Sequence, residues 1–392
     1  MTMGNAVRER GGLAGRLVRI GMAGVLLATV LGVLPGGSAR ADVLVGVAAN
    51  LSGADSFAGD QIVAGATQAI AEIEGGALLG EPVVLVPVDD GCNSDQAVAV
   101  AELLVERGVR LVVGHSCSGP SIAAAPIYGE AGVVMISASA TNTRVTDEGG
   151  PHVFRVIGRD DRQGTVAARF IAREHADRRI AVVADDTAYG QGLAARTAEE
   201  LVRLGHPPAL RAEVERHGDM TALVDRLIGE EIDTVYLGGD APDAGLIVRL
   251  AADKGRRLDL VSGDTLGAEE FWIVSGPAGE GAHFTFAPDP RETAEARAVV
   301  EAFRAGGREP LGYTLHAHAA VSVWAEAVSR AGTFDAAVVS KTLSGGAFDT
   351  VLGPLRFNEK GDVEGPETFV LYEWSNGSYR QITGSGATGT ER

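Results

Sequence analysis

From Val43 onward the chain repeats one unit: a short apolar run rich in Val, Leu and Ile, a turn holding Gly, Asp or Ser, then a helical pattern. The apolar runs cover residues 43–49, 83–88, 111–113, 133–136, 180–184, 234–237 and 258–261. Helix-length segments at 57–74, 95–107, 162–175, 190–204 and 243–254 lie between them. Runs without clean apolar/polar alternation, each followed by a helix, predict parallel strands covered on both faces. The expected fold class is α/β with doubly wound parallel sheets.

The unit runs twice, with a break at 155–161 where Gly158-Arg159-Asp160-Asp161 interrupts the apolar period. After Phe286 the order changes to three helices in succession, at 293–305, 311–331 and 336–343, then extended segments near Leu355 and at 369–374. The late helices must cover a sheet already built, so two lobes joined by more than one crossover are expected.

The N-terminus carries Arg8, Arg10, Arg16 and Arg19, then an uncharged run from Ile20 to Leu34, then Ser38-Ala39-Arg40-Ala41. A positive start, an apolar centre and an Ala-x-Ala ending are the marks of a secretory signal peptide, cut after Ala41. As a helix the run would rise about 22 Å, short of the roughly 30 Å needed to cross a bilayer. The mature chain is expected free in the periplasm. Losing five arginines against Glu9 takes the net charge from -18 to -22. Such a chain repels phosphate backbones, so nucleic acid is excluded as a partner. About 350 residues remain, which is long for one core and comfortable for two. Cys92 and Cys117 both lie in the mature part. In an oxidising compartment such a pair closes, worth about 3 kcal/mol of loop entropy; a free nucleophilic thiol is the alternative.

In open parallel sheets ligands bind beyond the carboxyl ends of the strands, which directs attention to the strand-to-helix loops. His115-Ser116-Cys117-Ser118-Gly119-Pro120 joins a strand to a helix start. Pro120 suits the first turn and Ser118 or Gly119 the cap, so the positive end of the helix dipole would attract a carboxylate or phosphate. Ser137-Ala138-Ser139-Ala140-Thr141 has the same form, and small residues let a ligand approach the backbone. Asp89-Asp90 is placed to cap the helix near Ser94.

Three chemistries fit poorly. Gly190-x-Gly192-x-x-Ala195 resembles a dinucleotide fingerprint, with Glu213 as the ribose acid, but five residues separate it from the strand end at Ala184. A hydrolase using Ser116 or Ser118 lacks the Gly-x-Ser-x-Gly elbow, since His115 stands where the first glycine belongs. His316 and His318 are two apart and diverge on a helix. No enzyme activity, metal or cofactor is expected.

Taken in order, Leu51-Ser52-Gly53, Gly59-Asp60-Gln61, Asp89-Asp90-Gly91-Cys92, Gln96-Ala97-Val98, Gly114-His115-Ser116-Cys117-Ser118, Ala140-Thr141, Tyr189-Gly190-Gln191-Gly192-Leu193-Ala194, Gly238-Gly239, Gly353-Pro354-Leu355 and Glu359-Lys360-Gly361-Asp362 form a series. Together they resemble the periplasmic leucine/isoleucine/valine-binding protein family, type I solute-binding proteins of ABC importers. The resemblance implies a Venus-flytrap fold with three hinge crossovers near Gly158, Ala287 and Glu367. The N-terminal lobe would be 42–157 with 288–366, and the C-terminal lobe 158–287 with 367–392. It also implies a Cys92–Cys117 disulfide, a monomer, an amino-acid ligand and a membrane permease as partner.

By the same resemblance, a ligand carboxylate meets Ser118 and the Thr141 N–H. The ammonium meets the Ser139 carbonyl, the Thr141 hydroxyl and Asp264. The side chain meets Phe57, Ser116, Tyr189, Asp240 and Tyr313. This chain departs from the branched-chain pattern at three places: Asp264 stands for Glu, Ser116 for an apolar residue and Asp240 for tyrosine. A branched-chain or related amino acid is the expected ligand, but an unpaired Asp240 facing an isobutyl group would be costly, which leans away from a purely aliphatic one; a polar or cationic amino acid or an amide analogue is the alternative. Asp240 turned to solvent, or paired with Arg162 or Lys254, is the alternative. A sensor that reports its ligand to a membrane receptor through the same fold is a second functional class.

Overall fold

A computed structural model describes residues 42–53, 56–365 and 369–382. The leader with its cut after Ala41, and Glu367, lie outside them. The first sheet orders its strands Ala77–Leu78, Glu81–Asp89, Val43–Ala49, Leu111–Gly114, Val134–Ser137 and Val153–Arg155. Its pairings are parallel apart from the short Ala77–Leu78 hairpin. The second orders Ser378–Gln381, Val370–Ser375, His283–Phe286, Asp259–Ser262, Thr234–Gly238, Ile180–Asp185 and Leu210–Val214. Five of these are parallel, and Val370–Ser375 with Ser378–Gln381 adds an antiparallel edge. The α/β class with parallel-sheet lobes is as the apolar runs predict.

The chain leaves the first sheet after Arg155, returns after Phe286 and crosses again between Leu355 and Val370. This explains the late helices, because Thr314–Ala331 and Ala336–Gly345 pack back on the first sheet. Thr314–Ala331 lies along Ser56–Glu72, burying Ala317, Ala320, Val321 and Trp324 beside Ile62, Ala66 and Ala69. Gly65 permits that approach: a Cβ there would stand 2.0 Å from the Thr314 carbonyl oxygen.

Besides the short Ala77–Leu78 and Phe348–Thr350, four strands escape the sequence reading for physical reasons. Leu210–Val214 is an edge strand with Arg211 and Glu213 in solvent, so it alternates instead of forming an apolar run. Val153–Arg155 has three residues and ends on an arginine. His283–Phe286 mixes polar residues into its four positions. Ser378–Gln381 is almost all polar, on the antiparallel edge.

Cys92 and Cys117 form a disulfide with Cα atoms 5.5 Å apart. It ties the loop after Glu81–Asp89 to the loop after Leu111–Gly114, two strands that both flank Val43–Ala49. The Cys92→Ser/Cys117→Ser protein is expected to lose about 3 kcal/mol in denaturant unfolding, since the bond closes a loop of 25 residues. A loss below about 1 kcal/mol would show that the unfolded chain gains little from the crosslink.

Candidate functional site

The loops at the carboxyl ends of both sheets enclose a cavity of ≈ 270 Å³. Of the nine residues expected to contact a ligand, all but Thr141 line it. Ser116, Ser118 and Ser139 come from loops of the first sheet, Tyr189, Asp240 and Asp264 from loops of the second. Phe57 and Tyr313 come from the starts of the two helices packed along each other.

Ser118 opens the helix Ser118–Ala131 and is 2% exposed. The cap residue is Cys117, not Ser118 or Gly119, and no side chain caps the turn. The Ser118 hydroxyl instead accepts the Asn142 N–H at 3.3 Å. With no acidic residue in the first turn, the dipole of this helix meets the cavity uncompensated, which makes it an anion locus. The neighbouring serines tie loops together. Ser116 Oγ accepts the Asn50 N–H at 2.9 Å, and Ser139 Oγ donates to the Ser116 carbonyl at 2.8 Å.

His115 is turned away from these serines. Its Nδ1 lies 2.6 Å from Asp90 Oδ2 and its Nε2 3.0 Å from the Tyr128 hydroxyl, all fully buried. A hydrolase would need that imidazole against Ser116 or Ser118. Asp90 is thereby occupied and Asp89 accepts the Leu51 and Gly91 N–H groups, so neither caps the next helix. Asn93 does, accepting from Asp95 and Gln96.

Asp264 is the buried anion of the site, 2% exposed. Its Oδ1 accepts the Tyr189 hydroxyl at 2.9 Å and Gln163 Nε2 at 2.8 Å, and its Oδ2 the Tyr313 hydroxyl at 2.7 Å. Burial pushes its carboxyl up, and the hydrogen bonds from Tyr313, Gln163 and Tyr189 pull it back. Gly263 makes room for this: a Cβ there would stand 2.2 Å from the Tyr189 hydroxyl. A carboxylate with about four lone-pair sites keeps one for a ligand cation after these three donors.

Asp240 pairs with Arg216, not with Arg162 or Lys254, and lies 3.7 Å from His217 Nε2. Arg162 instead donates to the Gly365 carbonyl, and Lys254 pairs with Asp225. Arg216 follows the unread edge strand, which is why the sequence gives no sign of it; like Asp240, it lines the cavity.

Thr141 is fully buried behind the wall. Arg155 draws its loop inward, donating from Nη1 to the carbonyls of Thr141 and Asn142, each at 2.9 Å. The Thr141 hydroxyl is turned toward Asp160 without reaching hydrogen-bond geometry, and both Asp160 oxygens are likewise unpartnered. Asp160 and Gln163 belong to the helix Asp160–Glu174, which starts at a crossover and not after a strand of its own sheet. A search confined to strand-end loops passes over them.

The nucleotide-like glycines serve packing. A Cβ on Gly190 would stand 2.1 Å from Asp185 Oδ1, and one on Gly192 2.6 Å from Asn142 Nδ2. Asn142 crosses between the two halves there, donating to the Ala188 carbonyl at 2.7 Å. Glu213 is exposed on the edge strand. His318 meets Glu72 at 2.8 Å, while His316 is buried and lowered to about 4 by that burial.

Burial, followed by the charge of Asp264, pushes Asp160 up to about 8, while Thr141 and Arg155 pull it down. The unfolded chain therefore releases this proton near pH 4 and the folded chain near pH 8. Stability from this group is full below pH 4, falls as the pH rises, and is lost above pH 8. Asp160→Asn is expected to be more stable than the parent in denaturant unfolding at pH 9, by on the order of a few kcal/mol, with a smaller gap at pH 5. Equal gaps at both pH values would mean that Asp160 ionises normally.

A family model described as periplasmic binding protein matches residues 42–378. The Leu/Ile/Val-binding protein homolog 1 of Brucella melitensis is 42% identical over 358 residues, covering 91% of this chain and 96% of that protein. The leucine-binding protein LivK of Thermotoga maritima has a TM-score of 0.80 at 27% identity, covering 87% of this chain and 97% of that one. An ABC transporter substrate-binding protein of Desulfitobacterium hafniense, solved in complex with Leu, has a TM-score of 0.71 at 27% identity. It covers 87% of this chain and 100% of its own. The chain is a solute-binding protein and not an enzyme, and it belongs to the periplasmic binding protein family, with the Leu/Ile/Val-binding proteins.

Proposed function

We propose that the cavity captures a free amino acid as its zwitterion and that the protein hands it to the membrane permease of an ABC importer. The observation that carries this is the presence, in one cavity, of Ser118 at an uncapped helix start and of the buried carboxylate of Asp264. The first suits a carboxylate and the second an ammonium, and a buried charge of either sign needs its partner. The D. hafniense relative, solved with Leu and named as an ABC transporter substrate-binding protein, supports the ligand class and the importer.

The two halves would be 42–157 with 288–366 and 158–287 with 367–392, turning about crossovers near Gly158, Ala287 and Glu367. Export to the periplasm after cleavage at Ala41, and a monomeric state, complete the reading. Two bonds already join elements of opposite sheets, Tyr313 to Asp264 and Asn142 to Ala188. Closure of the cleft onto a ligand would keep both.

Calorimetry on refolded, ligand-stripped protein is expected to find at least one amino acid bound at micromolar Kd or tighter. Ser118→Ala and Asp264→Ala should each weaken it about 10- to 100-fold, the worth of one hydrogen bond to a charged group. If no free amino acid or amino-acid amide binds below millimolar, the zwitterion reading fails.

A further inference from the structure

The second-sheet wall of the cavity is more acidic than a zwitterion needs. Among the described residues that line it, Asp186, Asp240, Asp264 and Glu270 are acidic, and Arg216 is the one lysine or arginine. Asp185 stands behind them, 1% exposed with Oδ2 unpartnered. None of the described lining residues is Leu, Ile, Val or Met. The hydrocarbon on view comes from Phe57, Phe286, the rings of Tyr189, Tyr313 and Tyr379, alanines and prolines.

Assigning the ligand's ammonium to Asp264 and its carboxylate to the helix start leaves three carboxylates and one guanidinium to face the rest of the molecule. Asp240 and Arg216 are paired and only 17% and 16% exposed in their side chains. An aliphatic side chain would take their remaining water and return nothing, and a buried pair is costly when left so. An acidic side chain would add like charge to a wall that already has an excess of it. A distal cation reverses both effects. A carboxylate that accepts from one guanidinium still has lone pairs for a second donor.

We infer that the ligand is an amino acid with a second cationic group, of the ornithine, lysine or arginine type, whose distal ammonium or guanidinium sits against Asp240. The inference rests on the amino-acid reading of the cleft and names the substrate class within it.

The test is calorimetry on the ligand-stripped mature chain with ornithine, lysine, arginine, glutamine, glutamate and leucine. At least one basic amino acid is expected to bind tenfold or more tightly than glutamine and leucine, with an affinity that falls as salt rises and glutamate silent. Asp240→Asn should erase at least tenfold of that preference. Glu270→Gln should narrow the preference in the same direction, and it serves as the second variant should Asp240→Asn melt well below the parent. Leucine, glutamine or glutamate binding more tightly than every basic amino acid overturns the inference and leaves the amino-acid reading standing. A preference unchanged in both folded variants also overturns it. Silence toward all six, and toward the remaining amino acids, defeats the amino-acid reading itself.

Discussion

Arg155 ends the last strand of the first sheet, is fully buried, and holds the site's geometry from behind. Its guanidinium gathers the carbonyls of Ala140, Thr141 and Asn142, and its Nε lies 2.6 Å from Asp362 Oδ1. A guanidinium taken out of water costs several kcal/mol unless paired and hydrogen-bonded on all sides. Asp362 supplies the charge and the loop supplies the oxygens. The loop cannot relax away without leaving the cation unanswered, so residues 140–143 are fixed from within the protein. Asp362 also accepts Arg159 Nη1 at 2.8 Å, and Arg159 reaches Asp147 at 3.0 Å, where Lys360 joins at 2.6 Å. The network joins the first crossover, at Arg159, to the segment that leads into the third, at Lys360 and Asp362.

From that anchor the rest of the cleft follows. The fixed loop presents Ser139 to the cavity and sends the Asn142 amide across to the Ala188 carbonyl. Ala188 begins the helix that carries Tyr189, whose hydroxyl meets Asp264 through the gap left by Gly263. Tyr313 arrives from the other half, its N–H held by Gln61 Oε1 at 2.9 Å, and completes the donor set on Asp264.

The parts of this arrangement that rest on local pattern are readable in the sequence. Buried parallel strands are apolar runs, and the helix starts and most cavity residues sit in the turns after them, as with Ser118, Tyr189 and Asp264. The unread parts depend on charges compensated over long separations. Arg155 looks like an interruption of the apolar period because its partners, the loop at 140–143 and Asp362, are not apolar. Asp160 and Gln163 look like an ordinary acidic helix start, since nothing local distinguishes a buried Asp from a solvated one. Arg216 falls after an alternating edge strand and meets Asp240 24 residues later. Ser118 lines the cavity but does not cap, because Asn142, not its own helix, takes its hydroxyl.

The donor set on Asp264 constrains how closure and affinity divide their free energy. Two of the three donors, Gln163 and Tyr189, lie in the same half as Asp264, whereas Tyr313 comes from the other. On the proposed closure, separating the halves would remove the Tyr313 bond but return water to Asp264, and burial is the larger of the two effects on its charge. A ligand ammonium at Asp264 would then replace the hydration that closure takes away, since a buried charge is costly without a partner. A ligand shifts a conformational equilibrium only by its differential affinity for the two states. On that reading the difference comes from the bound cation, which would make the enclosed carboxylate tolerable.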